Sequence, residues 1–245
     1  MKTIILLIIL AFSFNIKSDG DPKFVIDKYL KYVGGIEKIK QIKDLTIYST
    51  FEIFGSKYTQ VTYFKYPQKL LTITTHREKE KFRTLLFDNK MIRVLQSNLP
   101  IPVTIEASGK YAKINLLRAN PFQELLFDKY KIATEQLDLA GIVTYERQVP
   151  VIPVRCSNNE ITWTNFYHIE SCIKMGSLWS ITTRVDDLTK TETCFEEYSD
   201  FKFFGGINFP TKTRTTLNGK QYSVLQINNI EINQNISDKV FQIEK

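Results

Sequence analysis

KTETCFEEYSDFKFFGGINFPTKTRTTLNGKQYSVLQINNIEINQNISDKVF, residues 190–241, decides how the chain is read. Thr191, Thr193, Phe195, Glu197, Ser199, Phe201 and Phe203 recur on one face of an extended chain. Tyr222, Val224, Gln226, Asn228, Ile230 and Ile232 do the same further along. A period of two is strand periodicity, because successive side chains of a strand point to opposite sides. Gly205-Gly206 and Asn218-Gly219 punctuate the run, and Asn-Gly supplies the two positive φ angles of a type I′ hairpin turn. The stretch therefore reads as an antiparallel meander of long strands, and it holds no catalytic constellation.

Upstream, the same period continues in short segments. Strands are expected over 46–54, 58–66, 69–76, 82–87 and 90–95, separated by Gly55-Ser56, Tyr66-Pro67, a charged turn over 77–81, and Asp88-Asn89. Further strands are expected over 130–134, 142–155, 161–168 and 172–185. Such spacing favours a meander or barrel over parallel units joined by crossover helices. Ahead of the strands, residues 22–33 read as a helix capped by Asp21, with Pro22 at its first position and Phe24, Tyr29, Leu30 and Val33 at helical spacing. Gly34-Gly35 ends it, and 36–42 makes a second helical turn. The fold class is α+β, mainly antiparallel β.

Residues 96–128 break the pattern. Leu99-Pro100-Ile101-Pro102-Val103 is apolar but proline-spaced, which bars it from a central strand. Weak helical spacing follows (Ile105, Ala112, Leu116, Leu117), then a second short helical stretch over 121–127 capped by Asn120. An excursion of this length in a sheet protein is a lid or insertion, or else a helix plugging one end of a barrel.

Lys2, the apolar run 4–14 and the return of polarity at Asn15, Lys17 and Ser18 form the pattern of a secretory signal peptide, cleaved after Ser18 or after Ser13 in Ala11-Phe12-Ser13; residues 1–18 are taken as the leader, leaving one domain over 19–245. The run is shorter than the roughly 20 apolar residues a membrane-spanning helix needs. Removing the leader leaves 31 basic against 26 acidic residues, a formal charge of +5. The bases are scattered rather than arranged in a stripe, which argues against a nucleic-acid partner and for solubility with mild attraction to anionic membrane surfaces. Cys156, Cys172 and Cys194 are odd in number and fall on separate strands, so they read as small buried residues rather than a disulfide framework. Nothing here sets an oligomeric state.

Two stretches at the ends of the chain carry a resemblance. Asp27-Lys28-Tyr29-Leu30 with residues 34–43 (GGIEKIKQIK) opens the chain, and Tyr198-Ser199-Asp200-Phe201, residues 205–210 (GGINFP), Ile230-Glu231-Ile232-Asn233 and residues 236–241 (ISDKVF) close it. Together they resemble exported Bacteroidetes proteins related to LolA and LolB, the periplasmic lipoprotein carrier and its outer-membrane receptor. The resemblance implies a half-open antiparallel barrel with an N-terminal helix, a helical lid insertion at about 96–128, and an apolar interior that holds acyl chains of lipids or lipoproteins. It implies a periplasmic or peripheral outer-membrane location, with transient membrane-surface or envelope-protein contacts. The functional arginine and membrane-inserting loop of those carriers are not assigned to residues here. Candidate cavity-wall residues are Phe51, Phe64, Trp163, Tyr167, Trp179 and Phe195, with Leu99, Ile101, Leu116 and Leu117 as the lid. Each methylene removed from water by such a cavity contributes about 0.8 kcal/mol, so binding needs no catalyst.

The rival classes are an enzyme and a filled-core interaction domain. Only His76 and His168 are present, and His168-Ile169-Glu170 is a weak metal pair on one strand face. Asp186-Asp187 reads as a turn, and Glu196-Glu197 cannot form a dyad because adjacent strand residues point oppositely. No phosphate-binding glycine loop or nucleophile elbow occurs, so no catalytic residue, metal site or cofactor is expected. A polar cleft would favour the enzyme, a filled barrel the interaction domain, and an open apolar cavity the carrier.

Overall fold

The alternation over 190–241 becomes three long antiparallel strands, and the rest of the sheet is built outward from them. The computed structural model describes residues 22–66, 69–76, 82–88, 91–96, 103–106, 122, 131–134, 141–143, 148–157, 162–185 and 188–242. From the N-terminus come helix α1 (Pro22–Tyr32), short helix α2 (Ile36–Lys40) and strands β1 (Asp44–Ile53), β2 (Ser56–Lys65), β3 (Lys69–His76), β4 (Phe82–Asp88), β5 (Met91–Gln96) and β6 (Val103–Glu106). Then follow β7 (Lys131–Thr134), β8 (Gly141–Val143), β9 (Gln148–Ser157), β10 (Thr162–His168), β11 (Lys174–Val185), β12 (Leu188–Phe204), β13 (Ile207–Leu217), β14 (Lys220–Ile232) and a closing 3₁₀ turn (Asp238–Phe241).

Among the described residues, fourteen strands share one antiparallel sheet, in the order β6-β5-β4-β3-β2-β1-β14-β13-β12-β11-β10-β9-β7, with β8 paired to β9. The last strand returns beside the first, so Leu45 pairs with Ile232 and two meanders run outward from that seam. Among the described residues β6 and β7 do not pair with each other, and the barrel is half-open. No helix among the described residues is long and apolar enough to cross a membrane.

Turn chemistry sets the registers. Leu217 pairs with Lys220 across Asn218 (φ 49) and Gly219 (φ 78), the expected hairpin turn. The β1–β2 turn departs from the expected Gly55-Ser56: Ile53 pairs with Ser56, and the turn residues are Phe54 (φ 47) and Gly55. Placing Ile47 and Phe51 on the inner face fixes that register and leaves Phe54, a bulky residue in the left-handed region, 80 % exposed at the tip.

Two further expectations are corrected. The strand read over 142–155 is two strands, β8 and β9, which pair with each other through Gly141–Pro150 to Val143–Gln148. The helical spacing read from Ile105 onward does not begin there, because Val103–Glu106 is strand β6, laid on β5 at the end of the sheet. The leader, the lid residues Leu99, Ile101, Leu116 and Leu117, and Asp186-Asp187 lie outside the described residues.

Helix α1 lies in the concave side of the sheet. Val25, Ile26, Tyr29, Leu30 and Val33 are buried against Phe64, Leu70, Val154, Tyr167 and Phe209. Phe24 does not share that face: one position before Val25, it is turned about 100° around the helix, half exposed, with the Lys28 ammonium 5.6 Å over its ring. Gly34 ends the helix at φ +131, where an added Cβ would meet the Gly206 carbonyl oxygen at 2.8 Å. That close approach lets the Asn208 N–H donate to the Val33 carbonyl at 2.8 Å and ties the helix to β13.

The C-terminal segment is latched to the start of β1. The buried Asp44 carboxylate accepts from the backbone N–H of Gln234 (2.8 Å) and Ile236 (3.3 Å). Asn233 accepts from Lys43 N–H at 2.6 Å and donates to the Gln41 carbonyl at 3.0 Å. Beyond it, Phe241 and Ile236 pack with Leu71 on the outer face of the sheet, and Asp238 joins Lys65 (2.8 Å) and Lys69 (3.1 Å).

Candidate functional site

Inside the half-barrel, beyond helix α1, lies a cavity of about 350 Å³. Ile47, Phe51 and Ile53 of β1 and Leu225 and Ile227 of β14 make its apolar wall. They reach it by strand alternation and one irregularity. Tyr48 pairs with Asn229 and Ser49 with Ile227, so Asn228 is an extra residue in β14. A bulge of this kind reverses the phase of a strand, and Leu225 and Ile227 before it and Ile230 after it all serve the interior. Phe51 is held by Tyr58, its cross-strand neighbour, with the rings stacked at 4.9 Å and 12°.

Tyr29 and Phe209 also line the cavity from the buried core; Tyr29 packs edge-on against Tyr167 at 5.6 Å. A second side is polar, from Gln60, Thr62 and Thr72 of β2 and β3. These bond among themselves: the Gln60 amide donates to Thr62 Oγ1 at 3.1 Å, and the Thr62 and Thr72 hydroxyls lie 3.4 Å apart. The third side carries Glu196 and Tyr198 of β12, Thr213 and Thr215 of β13, and Lys174 of β11.

That third side is built on buried hydrogen bonds. The Tyr198 hydroxyl donates to Glu196 Oε2 at 3.0 Å, and Ser177 donates to Asn165 Oδ1 at 2.7 Å, with both Ser177 and Asn165 almost fully buried. Asn165 Nδ2 in turn lies 3.5 Å from the Tyr167 hydroxyl. The Lys174 ammonium stands 5.4 Å from the centre of the Tyr198 ring. Glu196 and Glu197 diverge as strand geometry requires: Glu196 lines the cavity, while Glu197 lies 3.5 Å from Arg214.

Of the six residues read as cavity wall, Phe51 lines this cavity. Phe64, Trp163, Tyr167 and Trp179 are buried in the main core, where Trp163 and Trp179 pair across β10 and β11 and stack at 5.2 Å between Cys156 and Cys194. Phe195 faces the other side of the sheet from its neighbour Glu196 and packs with Val149, Val151 and Phe166. Lys174, Glu196 and Tyr198 were not read as site residues, although Glu196 and Tyr198 stand two apart, the spacing of one strand face.

His168 closes β10 and is not half of a metal pair. Glu170 falls in the turn beyond the strand, and the backbone N–H groups of Glu170 and Ser171 both donate to His168 Nδ1 at 3.3 Å. Among the described residues no group of three or more metal-ligating side chains occurs. All three cysteines are buried, and none forms a disulfide. Burial pushes the Cys172 thiol up, against the opposing pull of the Lys28 ammonium, which keeps it a poor nucleophile.

Solved structures share this architecture over most of their length. A LolA superfamily protein from Nitrosomonas europaea matches 90% of this chain and 97% of its own, at 12% identity and a TM-score of 0.54. The chain has the fold of the LolA superfamily. A DUF1329 family protein from Desulfovibrio piger shares this LolA-like fold over 90% of this chain and 96% of its own, at 10% identity and a TM-score of 0.56. A domain described as that of an outer membrane lipoprotein-sorting protein, from Vibrio parahaemolyticus, covers 81% of this chain and 88% of its own, at 8% identity and a TM-score of 0.51. No protein-family model and no curated protein matches the chain. At these identities the likeness is one of fold, and the cavity's chemistry has to be read from its own residues.

Proposed function

We propose that this chain is an exported, non-catalytic carrier or receptor that binds an acyl chain of a lipid or lipoprotein in the cavity of its half-open barrel. The observation that carries the reading is the cavity itself: about 350 Å³ of space bounded on one wall by Ile47, Phe51, Ile53, Leu225 and Ile227. A concave apolar pocket of this size is where a small apolar ligand is held. The related folds support the same reading, since one solved neighbour is described as an outer membrane lipoprotein-sorting domain. The leader over 1–18 supports action in the periplasm or at the periphery of the outer membrane.

The hydrogen bonding of the polar wall supports the non-catalytic reading. Of the described serines lining the cavity, Ser49 donates its hydroxyl proton to the Gln60 carbonyl at 3.4 Å rather than to a base, and no histidine or cysteine is among the described lining residues. A single acyl chain therefore has walls to rest on.

The test is native mass spectrometry with lipid extraction on protein purified from its own cell envelope. The expected result is one acyl-chain ligand per chain, released on denaturation. Protein that purifies without ligand and binds no added single-chain lipid would overturn the reading and leave a filled-core interaction domain as the better account.

A further inference from the structure

The hydrogen-bonding side of the cavity exceeds what an acyl chain requires, and we propose that it reads the ligand's head: the site takes a single-chain lipid with an uncharged, hydrogen-bonding head, such as a hydroxyl, ester or amide, in preference to a free fatty acid. This assignment rests on the acyl-chain reading of the cavity and adds the class of head group.

Charge is the first ground. Lys174 is 3 % exposed and Glu196 7 % exposed. Tyrosines aside, they are the ionisable side chains among the described residues lining the cavity, and their formal charges cancel. A carboxylate or phosphate head placed here would leave one net negative charge in a site withdrawn from water, and uncompensated buried charge is strongly unfavourable. A neutral head adds no such charge.

Hydrogen-bond capacity is the second. A hydroxyl has one proton to give. That of Tyr198 goes to Glu196 at 3.0 Å and that of Ser177 to Asn165 at 2.7 Å, so the 3.3 Å contact between the Tyr198 and Ser177 oxygens has no proton of its own. The pairings hold Tyr198 and Glu196 in fixed positions. Beside them, register sets two hydroxyls in line with the carboxylate: Glu196 pairs with Thr215, Thr215 with Ser223, and Ser223 with Ile53, the last residue of β1. Hydroxyls both donate and accept, which suits a head that does the same.

The two grounds also orient the ligand. The row from Glu196 to Ile53 lies toward the hairpin end of the strands, next to the β1–β2 turn, whereas Leu45 and Phe64 at the other end of β1 and β2 pack against α1. The head sits at that row, and the tail runs past Phe51, Leu225 and Ile47 toward Tyr29.

The experiment titrates delipidated protein by calorimetry at neutral pH with monododecanoylglycerol and with dodecanoate, ligands of one chain length and two heads. The glycerol ester is expected to bind one per chain and roughly tenfold more tightly than the carboxylate. Glu196→Gln, which takes one formal negative charge off the cavity lining, is expected to tighten dodecanoate by about tenfold and reverse the preference. Equal affinities for the two heads in the wild-type protein overturn the assignment while the acyl-chain reading stands. So does an unchanged ratio in E196Q that keeps the wild-type circular dichroism spectrum. Absence of binding by both ligands overturns the assignment and the acyl-chain reading together. If E196Q does not fold, the wild-type comparison decides alone.

Discussion

Lengthening the ligand one methylene at a time gives a quantitative handle on the cavity. Its volume of about 350 Å³, at about 30 Å³ for a group the size of a water molecule, holds roughly twelve such groups, and a methylene is of that size. Each methylene taken out of water contributes about 0.8 kcal/mol, and about 1.4 kcal/mol is a tenfold change in affinity. A series of monoacylglycerols should therefore gain about fourfold in affinity per added carbon. The gain should stop short of roughly twelve carbons, because the head takes part of the same volume and further carbons find the interior filled. Isothermal titration from about eight to about sixteen carbons would show a rising limb and a plateau. Leu225→Trp, which adds bulk to the apolar wall, should move the plateau to shorter chains. Affinity that ignores chain length from the start, or that climbs without a break past the longest chain, would refute the cavity as the binding site.

Stability tests address the frame around the cavity. Asp44→Ala removes the acceptor of the Gln234 and Ile236 N–H groups; stranding buried donors should cost about 2–3 kcal/mol in urea unfolding, and a loss inside error would show that water replaces the carboxylate. Gly34→Ala should be costlier than Gly35→Ala, because an added Cβ meets the Gly206 carbonyl at 2.8 Å in the first case and nothing within 4 Å in the second; equal urea midpoints would contradict this. For Asp238, hydrogen bonds from Lys65 and Lys69 hold the carboxyl below the usual carboxylate range. Its folded value is thus lower than its unfolded one, so its contribution is present above the unfolded value and lost as pH falls through the folded one. Asp238→Asn should flatten the acid side of the stability profile, most visibly at low salt since the pair is exposed; an unaltered profile would remove the Asp238–Lys65–Lys69 pairing from the account of stability.

Most of the sheet was legible because alternation and turn residues are local signals. The 69–76 strand, the Asn218-Gly219 hairpin and the helix that stops at Gly34-Gly35 appear where the residues place them. The cavity was harder to read because two bulges decide what faces it. The extra residue Asn228 lets Leu225, Ile227 and Ile230 all serve the interior, whereas unbroken alternation sets Leu225 and Ile227 on the opposite face from Ile230. In β11, Phe166 pairs with Gly176 and Tyr167 with Lys174, so Met175 is the extra residue, and Lys174 and Ser177 come to the same side at an odd separation. A bulge leaves no composition signal, since any residue can be the extra one. Aromatic size misled for a similar reason: Trp163 and Trp179 complete a core layer, and Phe195 is carried outward by the same alternation that brings Glu196 in.

The most direct test of the account is photo-cross-linking with a monoacylglycerol that carries a diazirine near the end of its chain, followed by peptide mapping. Adducts on β1 around Ile47 and Phe51 and on β14 around Leu225 and Ile227, suppressed by unlabelled lipid, are the predicted result. Adducts confined to the exposed outer aromatics Phe24 and Phe203, or labelling that unlabelled lipid does not reduce, would contradict an acyl chain held inside the barrel.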